Sequence, residues 1–216
     1  MAEWLNATFY NFDYQGLSAM HGLAKNAGGF FTPFFAFISF LGTWGIFFII
    51  AGLILCLFKK SRRLGVMILV SLLLDVIFTN LLLKPLIARS RPYVSSEEYS
   101  KFWEFVGGRK VKEFSFPSGH TAVTMSAMMV VFIVCNKKFS WMALVFAFVM
   151  GLSRIYFAVH YPTDVLAGLI FGSVYGATAY FIVKPIFSAL EKRRNVKGVS
   201  AFLDFDLIDY IKKRAG

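Results

Sequence analysis

Long apolar runs separated by short polar segments dominate the chain. Five of these runs approach the roughly 20 residues that a membrane-spanning helix needs: 30–58, 64–83, 121–135, 139–159 and 164–183. The run 121–135 is short for a span unless it begins earlier, and 30–58 is long enough to contain a break at Thr32-Pro33. The pattern predicts an all-α integral membrane protein, a polytopic bundle of five spans in a single domain, 1–216.

The first 29 residues fit two alternatives. Residues 1–29 lack a basic n-region, so a cleaved signal peptide is not expected. Their aromatic side chains indicate an interfacial segment, with a short surface helix over 17–27 that ends at Gly28-Gly29. Alternatively, part of 14–40 forms a sixth span, which would place the N-terminus inside.

Basic residues mark one side of the predicted bundle. The connections at 59–63 and 137–138 are short and basic, and the tail 184–216 carries eight more Lys and Arg. Short loops rich in Lys and Arg stay in the cytoplasm, and two predicted spans lie between successive basic segments. The five-span topology therefore places the N-terminus and the 84–120 loop outside and the tail inside.

Composition sharpens this interpretation. Hydrophobic residues make up 57% of the chain and charged residues 16%, which excludes intrinsic disorder. A net charge of +11 would suit a nucleic-acid-binding protein, but such proteins spread their cations over water-exposed faces. Here fourteen of the 23 Lys and Arg residues lie in the basic segments 59–63, 137–138 and 184–216. We therefore expect a lipid bilayer as the environment and no nucleic-acid partner, and no pattern indicates an oligomeric state.

The predicted loop begins with the first of three polar clusters. Lys84 and Arg91 stand seven residues apart, so on a continuous helix they would share one face, two turns apart. Pro85 suits the start of a turn and Pro92 its end. Cations at such a place also serve as anchors that reach toward lipid headgroups, so this cluster alone leaves both roles open.

The second cluster, Pro117-Ser118-Gly119-His120, ends the same loop directly before a span. Ser118 is a preferred N-cap residue, and the free N–H groups of a first helical turn form an anion site. Gly119 lets the backbone approach a ligand closely, and His120 would lie beside that ligand. The alternative is an ordinary capped helix with an interfacial histidine.

The third cluster, Ser153 to Asp164, connects two spans. Arg154 lies inside an apolar run, where a charge costs at least about 2.5 kcal/mol and usually faces a cavity in the protein. His160 and Asp164 flank a turn in which Pro162 suits the first helical position, and a carboxylate four residues on can orient an imidazole. The alternative is a capped turn with an incidental ion pair.

The predicted topology brings all three clusters to the outer ends of the helices. Three cations, Lys84, Arg91 and Arg154, with a helix N-terminus, would bind phosphate. Two histidines beside them can supply a nucleophile and an acid. The joint pattern predicts an active site on the extracytoplasmic side, and because three fixed cations can replace a metal, we expect no metal and no other cofactor.

These motifs are similar to a known signature. Lys84-x6-Arg91-Pro92, Pro117-Ser118-Gly119-His120 and Ser153-Arg154-x5-His160-x3-Asp164 match its three parts in order and spacing. Over residues 84–164 the sequence thereby resembles the type-2 phosphatidic acid phosphatase superfamily, in its membrane-bound branch. Its size and layout resemble the bacterial members that dephosphorylate phosphatidylglycerophosphate or undecaprenyl pyrophosphate.

The resemblance implies a mechanism. His160 would attack phosphorus to form a phosphohistidine, Asp164 would orient its ring, and His120 would protonate the leaving group and then activate water. The resemblance assigns phosphate binding to Lys84, Arg91, Ser118, Gly119 and Arg154.

The implied activity is a hydrolase that removes phosphate from a membrane lipid. Conversion of phosphatidylglycerophosphate to phosphatidylglycerol is favoured, and hydrolysis of undecaprenyl pyrophosphate in cell-wall lipid carrier recycling is the alternative. Two other classes remain: an anion-binding membrane protein or transporter using the same cluster without turnover, and a basic membrane adaptor for which both histidines are dispensable.

Two features lie outside this interpretation. Asp75 is a charge inside the run 64–83, which is by default a functional-site hypothesis. No residue of the three clusters lies within one turn of it, so we expect a structural role. In the tail, 201–211 places apolar residues at spacings of three beside aspartates, which indicates a surface helix on the inner leaflet.

Overall fold

The computed structural model describes residues 1–215, which form helices and no strand. In chain order the α-helices are α1 (Ala2–Thr8), α2 (Tyr10–Leu41), α3 (Ile46–Cys56), α4 (Arg62–Asp75), α5 (Lys84–Ile87), α6 (Pro92–Ser95), α7 (Glu97–Phe105), α8 (Gly119–Val134), α9 (Lys137–Tyr156), α10 (Pro162–Lys192), α11 (Lys197–Asp204) and α12 (Leu207–Ala215). A 3₁₀ turn, Thr43–Gly45, joins α2 to α3, and a π-helix, Val76–Leu83, joins α4 to α5. The predicted all-α fold is confirmed.

Several helices have the length and composition of membrane spans. Arg62–Ser95, α9 and α10 are each long and apolar enough to cross a bilayer, and α2 with α3 would form a further crossing bent by 50°. α8 begins at Gly119, earlier than predicted, but its 16 residues remain short for a span. Large apolar side chains such as Leu81 and Phe181 are 70% and 69% exposed, as expected where helices face lipid. The count of five spans stays a prediction.

The N-terminal boundaries differ from the predicted ones. The helix before Gly28-Gly29 begins at Tyr10 rather than at residue 17, and α2 continues through Thr32-Pro33, so the predicted start at 17 and the predicted break at Pro33 are wrong. The backbone is instead non-helical at Ala27. This kink lies next to Gly28-Gly29, where the end of the short helix was predicted. Beyond it the helix continues through Pro33, because backbone N–H and C=O groups in apolar surroundings must stay paired.

The other boundaries shift because hydrogen bonding continues beyond the apolar residues. α4 begins at Arg62, and helical structure continues through the π-helix into α5, so Lys84 lies in a helix rather than at the start of a loop. α10 extends to Lys192, so the predicted tail 184–216 begins as helix. Pro162 occupies the first position of α10, as predicted. Asp75 ends α4 with 1% of its surface exposed, and within the described residues its Oδ1 has no hydrogen-bond partner.

The core forms where α8 packs against α4, α9 and α10. Glycines at intervals of four residues, Gly168, Gly172 and Gly176, line the face of α10 that meets α8. A Cβ added to Gly172 would lie 2.5 Å from the carbonyl oxygen of Ala122, and one on Gly176 would lie 2.6 Å from that of Ser126. Small residues allow such close helix packing, and this contact sets the position of the first turn of α8 beside that of α10.

The C-terminal segment packs against the connection between α3 and α4. The Arg62 guanidinium is buried there and donates to the carbonyl oxygens of Phe202 and Leu203, at 2.6 and 2.9 Å. The tail and the basic 59–63 connection therefore lie at the same end of the bundle, as the predicted topology requires.

The single helix predicted within 201–211 is wrong. α11 ends at Asp204 and α12 begins at Leu207. Between them, the Asp206 carboxylate accepts hydrogen bonds from the backbone N–H of Lys59 and of Ile208, at 2.9 and 3.0 Å. Asp206 therefore lies between the two helices, where its carboxylate joins the tail to the α3–α4 connection.

Candidate active site

The three predicted clusters meet at one end of the bundle, where α5 ends, α8 begins and the α9–α10 turn lies. The backbone N–H of Ser118, before α8, donates to the carbonyl oxygen of Asp164 in α10, at 3.0 Å. Arg91 reaches the turn with Nη1, which donates to the carbonyl oxygen of Val159 at 2.8 Å. The helix ends are therefore joined by direct hydrogen bonds.

The first cluster does not form one helical face. α5 ends at Ile87, Ala88 has a left-handed backbone (φ 51°), and Arg91 is extended (φ −75°, ψ 154°). Lys84 therefore projects from a helix, whereas Arg91 projects from the chain beyond it. Both side chains still reach the same site, and Arg91 is fixed there by donating from Nε to the carbonyl oxygen of Glu113 at 2.7 Å.

The Lys84 ammonium lies at the N-terminus of α8. A Cβ added to Gly119 would lie 3.3 Å from Lys84 Nζ, so glycine leaves room for this approach. Lys84 is only 6% exposed and forms an ion pair with the carboxylate of Glu113, from the loop before α8. The free protein thus holds a carboxylate against one of the predicted phosphate-binding cations.

Ser118 stands at the N-cap position of α8, but its side chain does not cap the helix. Its Oγ lies 2.9 Å from Thr121 Oγ1, and no capping hydrogen bond from this side chain is present. The predicted capping role is therefore wrong, because the hydroxyl pairs with a neighbouring side chain instead. The backbone of Ser118 and Gly119 still begins the helix at the site.

Arg154 reaches the site from the last turn of α9. Its Nη1 donates to Ser39 Oγ of α2, and within the described residues its buried Nε has no hydrogen-bond partner. The charges of Arg154, Lys84 and Arg91 all act on His120, in the first turn of α8, and on His160. The predicted cations and histidines therefore form one group.

His160 is oriented by its contact with Arg91. The ring is 2% exposed, and its Nε2 lies 3.1 Å from Arg91 Nη1. A guanidinium can only donate, so Nε2 accepts with its lone pair and the proton of the neutral ring is on Nδ1. Burial, together with the charges of Arg91, Arg154 and Lys84, lowers the pKa of His160 well below its usual value. The neutral ring therefore keeps a lone pair on Nε2.

The predicted pairing of His160 with Asp164 is indirect. His160 Nδ1 lies 3.5 Å from Asp164 Oδ2, which is long for a hydrogen bond. The hydroxyl of Ser115 lies 3.4 Å from the same Nδ1 and donates to Asp164 Oδ2 at 2.5 Å. Both contacts to Nδ1 are long, so Ser115 lies beside His160 while it is firmly bonded to Asp164.

Sequence reasoning missed four residues here: Ser115, Glu113, Arg89 and Asp13. Arg89 lies inside the first motif, and its position two residues before Arg91 was an available signal. It donates to Asp164 Oδ1 at 2.6 Å and to Asp13 Oδ2 at 2.7 Å. Asp13 and Ser115 lie outside the motifs, and no local pattern marked them.

Comparison with known proteins identifies the family. The sequence profile described as the PAP2 superfamily matches residues 64–187. A lipid A 4′-phosphatase from Bacteroides thetaiotaomicron is 31% identical over 125 residues, which cover 56% of this chain and 55% of that protein. The match therefore spans about half the length of this curated relative.

Two crystal structures share the fold. Aquifex aeolicus LpxE aligns with a TM-score of 0.59 and 22% identity, over 76% of this chain and 93% of that one. A transmembrane PAP2-type phosphatidylglycerolphosphate phosphatase from Bacillus subtilis aligns with a TM-score of 0.53 and 23% identity, over 86% and 97%. Because the superfamily profile covers more than half of the chain and contains all three clusters, this membrane protein belongs to the PAP2 superfamily.

Proposed function

We propose that this chain is a membrane lipid phosphatase that hydrolyses a phosphate monoester or diphosphate through a phosphohistidine. The observation that carries the proposal is a buried neutral imidazole, His160, whose Nε2 lone pair lies among cations, 3.1 Å from Arg91. Membrane anchoring by Lys and Arg would need no such nucleophile. Arg154 supports the proposal further, because its buried Nε is left free for an anion.

In the proposed reaction, His160 Nε2 attacks phosphorus and the bond from phosphorus to the leaving oxygen breaks. The bound phosphate anion favours the protonated form of His120, whose imidazolium gives its proton to that oxygen. His120 then takes a proton from a water molecule, whose oxygen attacks the phosphohistidine, and the phosphorus–nitrogen bond breaks to release inorganic phosphate.

Phosphoryl transfer needs positioning and charge stabilisation more than covalent chemistry from the protein. We assign this work to Lys84, Arg91 and Arg154, with the first N–H groups of α8. Asp164, to which Ser115 is bonded, orients His160. None of these steps uses a metal.

We also propose that this end of the bundle faces the extracytoplasmic side. The basic connections 59–63 and 137–138 lie at the other ends of the helices that carry the site. Short basic loops favour the cytoplasmic side. The substrate would keep its phosphate in the headgroup layer and its tails in lipid.

Phosphatidylglycerophosphate is the favoured substrate, and a diphosphate such as undecaprenyl pyrophosphate is the second candidate. The loop before α8 supports the second. Its cations Arg109, Lys110 and Lys112 are exposed, and Tyr93 holds this segment by hydrogen bonds between its hydroxyl and the backbone of Val111, at 2.9 and 3.0 Å. Exposed cations in the loop that leads to α8 suit a second phosphate group.

The test is phosphate release by purified protein in detergent over a panel of lipid mono- and diphosphates. We expect His160→Ala to lower the rate at least about 1000-fold, as loss of a nucleophile does. The matched control is His21→Ala, since His21 stacks on Phe102 at 4.1 Å outside the site. Lipid phosphate binding without release by the wild type would instead indicate an anion-binding protein.

A further inference from the structure

The most deeply buried cation of the site has no part in the proposed chemistry. Arg89 is 0% exposed. Its guanidinium donates to Asp164 Oδ1 at 2.6 Å, to Asp13 Oδ2 at 2.7 Å and to Thr163 Oγ1 at 2.7 Å. The Tyr161 ring covers it, with the guanidinium carbon 3.8 Å from the ring centroid. Such complete pairing fixes the guanidinium in one orientation.

Asp13 connects this group to the N-terminal helix α2. Besides Arg89, its carboxylate accepts from the backbone N–H of Thr163 at 2.9 Å and from the Thr163 hydroxyl at 2.8 Å. Asp13 is 2% exposed. A residue far from the three motifs in sequence therefore holds both Arg89 and the first turn of α10.

The two oxygens of Asp164 have separate roles. Oδ1 accepts from Arg89. Oδ2 accepts from Ser115 Oγ at 2.5 Å and from the backbone N–H of Tyr161 at 2.9 Å, and it is the oxygen on the side of His160. Arg89 thus binds the Asp164 oxygen that lies away from His160, and the other oxygen of Asp164 faces the ring.

The charges of this buried group do not cancel. One cation, Arg89, stands between two carboxylates, Asp13 and Asp164, with side chains at most 3% exposed. Burial limits screening by solvent and salt. If Arg89 were paired with Asp164 alone, the positive charge of Arg89 would cancel the effect of the Asp164 carboxylate on the His160 ring.

We propose that Arg89 and Asp13 are positioning residues for His160. Arg89 fixes the orientation of Asp164, and Asp13 offsets the charge of Arg89 so that Asp164 keeps a net negative field toward the ring. This inference rests on the proposed role of His160 as the nucleophile. It makes α2 part of the catalytic apparatus rather than only a membrane segment.

Several other charged groups act on His160 and stay unchanged in the variants below. They are Arg91, Arg154 and Lys84, with Glu113 paired to Lys84, and the His120 ring. The first three are cations that oppose protonation of the ring. The negative charge of Asp164 favours protonation of the ring. Asp13 determines how much of that negative charge Arg89 cancels.

The experiment compares Asp13→Asn with wild type in the phosphate-release assay between pH 4 and pH 8. Asparagine keeps the size and one acceptor but removes the charge. We expect kcat to fall about two- to threefold with KM within about twofold, because a base weaker by about half a pKa unit attacks phosphorus less readily. The protonated ring of His160 is then stabilised less by Asp164, so the pKa of His160 falls. The acid limb of kcat/KM, which reports this pKa, should therefore move to lower pH by about half a unit.

Three further variants separate charge from geometry. Asp13→Asn with Arg89→Met removes both charges and should return the acid limb toward its wild-type position. Arg89→Lys keeps the charge but loses the fork, so kcat should fall with the limb unchanged. Asn6→Ala removes a neutral acceptor of Arg89 Nε, at 2.8 Å, and should leave the limb in place.

Wild-type rates and an unmoved acid limb in Asp13→Asn would overturn the inference. A lower rate with an unmoved limb would also overturn it, because that result describes a structural role only. If Asp13→Asn does not fold, Arg89→Met decides the matter by the same limb, which should move to higher pH because both carboxylates then act on the ring unopposed; an unmoved limb would overturn the inference. Failure of the proposed function is distinct, since the wild type would then release no phosphate or His160→Ala would remain active.

Discussion

Replacement of Glu113 by glutamine should strengthen phosphate binding. In the free protein the Glu113 carboxylate pairs with Lys84, one of the proposed phosphate-binding cations. A phosphate that binds Lys84 must displace this carboxylate. Glutamine removes the competing charge and keeps the shape of the side chain. The free protein then has no Lys84–Glu113 ion pair to break when the substrate binds.

The magnitude follows from the exposure of the pair. The side chain of Glu113 is 43% exposed, although that of Lys84 is only 8% exposed. Solvent therefore screens the ion pair, and a contribution of about 0.5–1 kcal/mol is appropriate. Because about 1.4 kcal/mol corresponds to a tenfold change in affinity, binding should tighten about two- to fivefold.

The assay measures KM for a lipid phosphate and the inhibition constant of orthovanadate, which resembles phosphate in shape and charge. Both should fall in Glu113→Gln while kcat changes little. Glu97→Gln is the matched control, because Glu97 pairs with the exposed Lys101 on α7, at 2.8 Å. Unchanged or higher constants in Glu113→Gln would refute the competition between carboxylate and phosphate.

Three other predictions concern the metal, the pH dependence and the core. Activity should survive EDTA, because Lys84, Arg91 and Arg154 supply the charge that a metal would; loss that magnesium restores would contradict this. Since burial and neighbouring cations lower the pKa of His160, its neutral form persists as pH falls through 6.5, so kcat/KM should show no acid limb near 6.5 from this group. Gly172→Leu should lower the thermal midpoint by about 5–10 °C, because even an added Cβ would lie 2.5 Å from a carbonyl oxygen of α8. Gly29→Leu is the control and should leave the midpoint unchanged, because nothing lies within 4 Å of a Cβ added to Gly29. Equal midpoints for the two glycine variants would contradict the packing argument.

Much of the fold was predictable from local pattern. Apolar runs identify the helices because a backbone in lipid must satisfy its own hydrogen bonds. Their ends were less predictable, since hydrogen bonding continues into polar residues. α10 extends to Lys192, and the helix that contains Arg62 continues to Ile87.

The sequence by itself determined the motif residues and their collection at one end of the helices, because residue type, spacing and the alternation of spans are properties of the chain. Only the tertiary structure decided how they act. The left-handed Ala88 separates Lys84 from Arg91, and Ser115 stands between His160 and Asp164. Such contacts join residues distant in the chain, so they depend on how α2, α8 and α10 pack, and no local spacing contains that information.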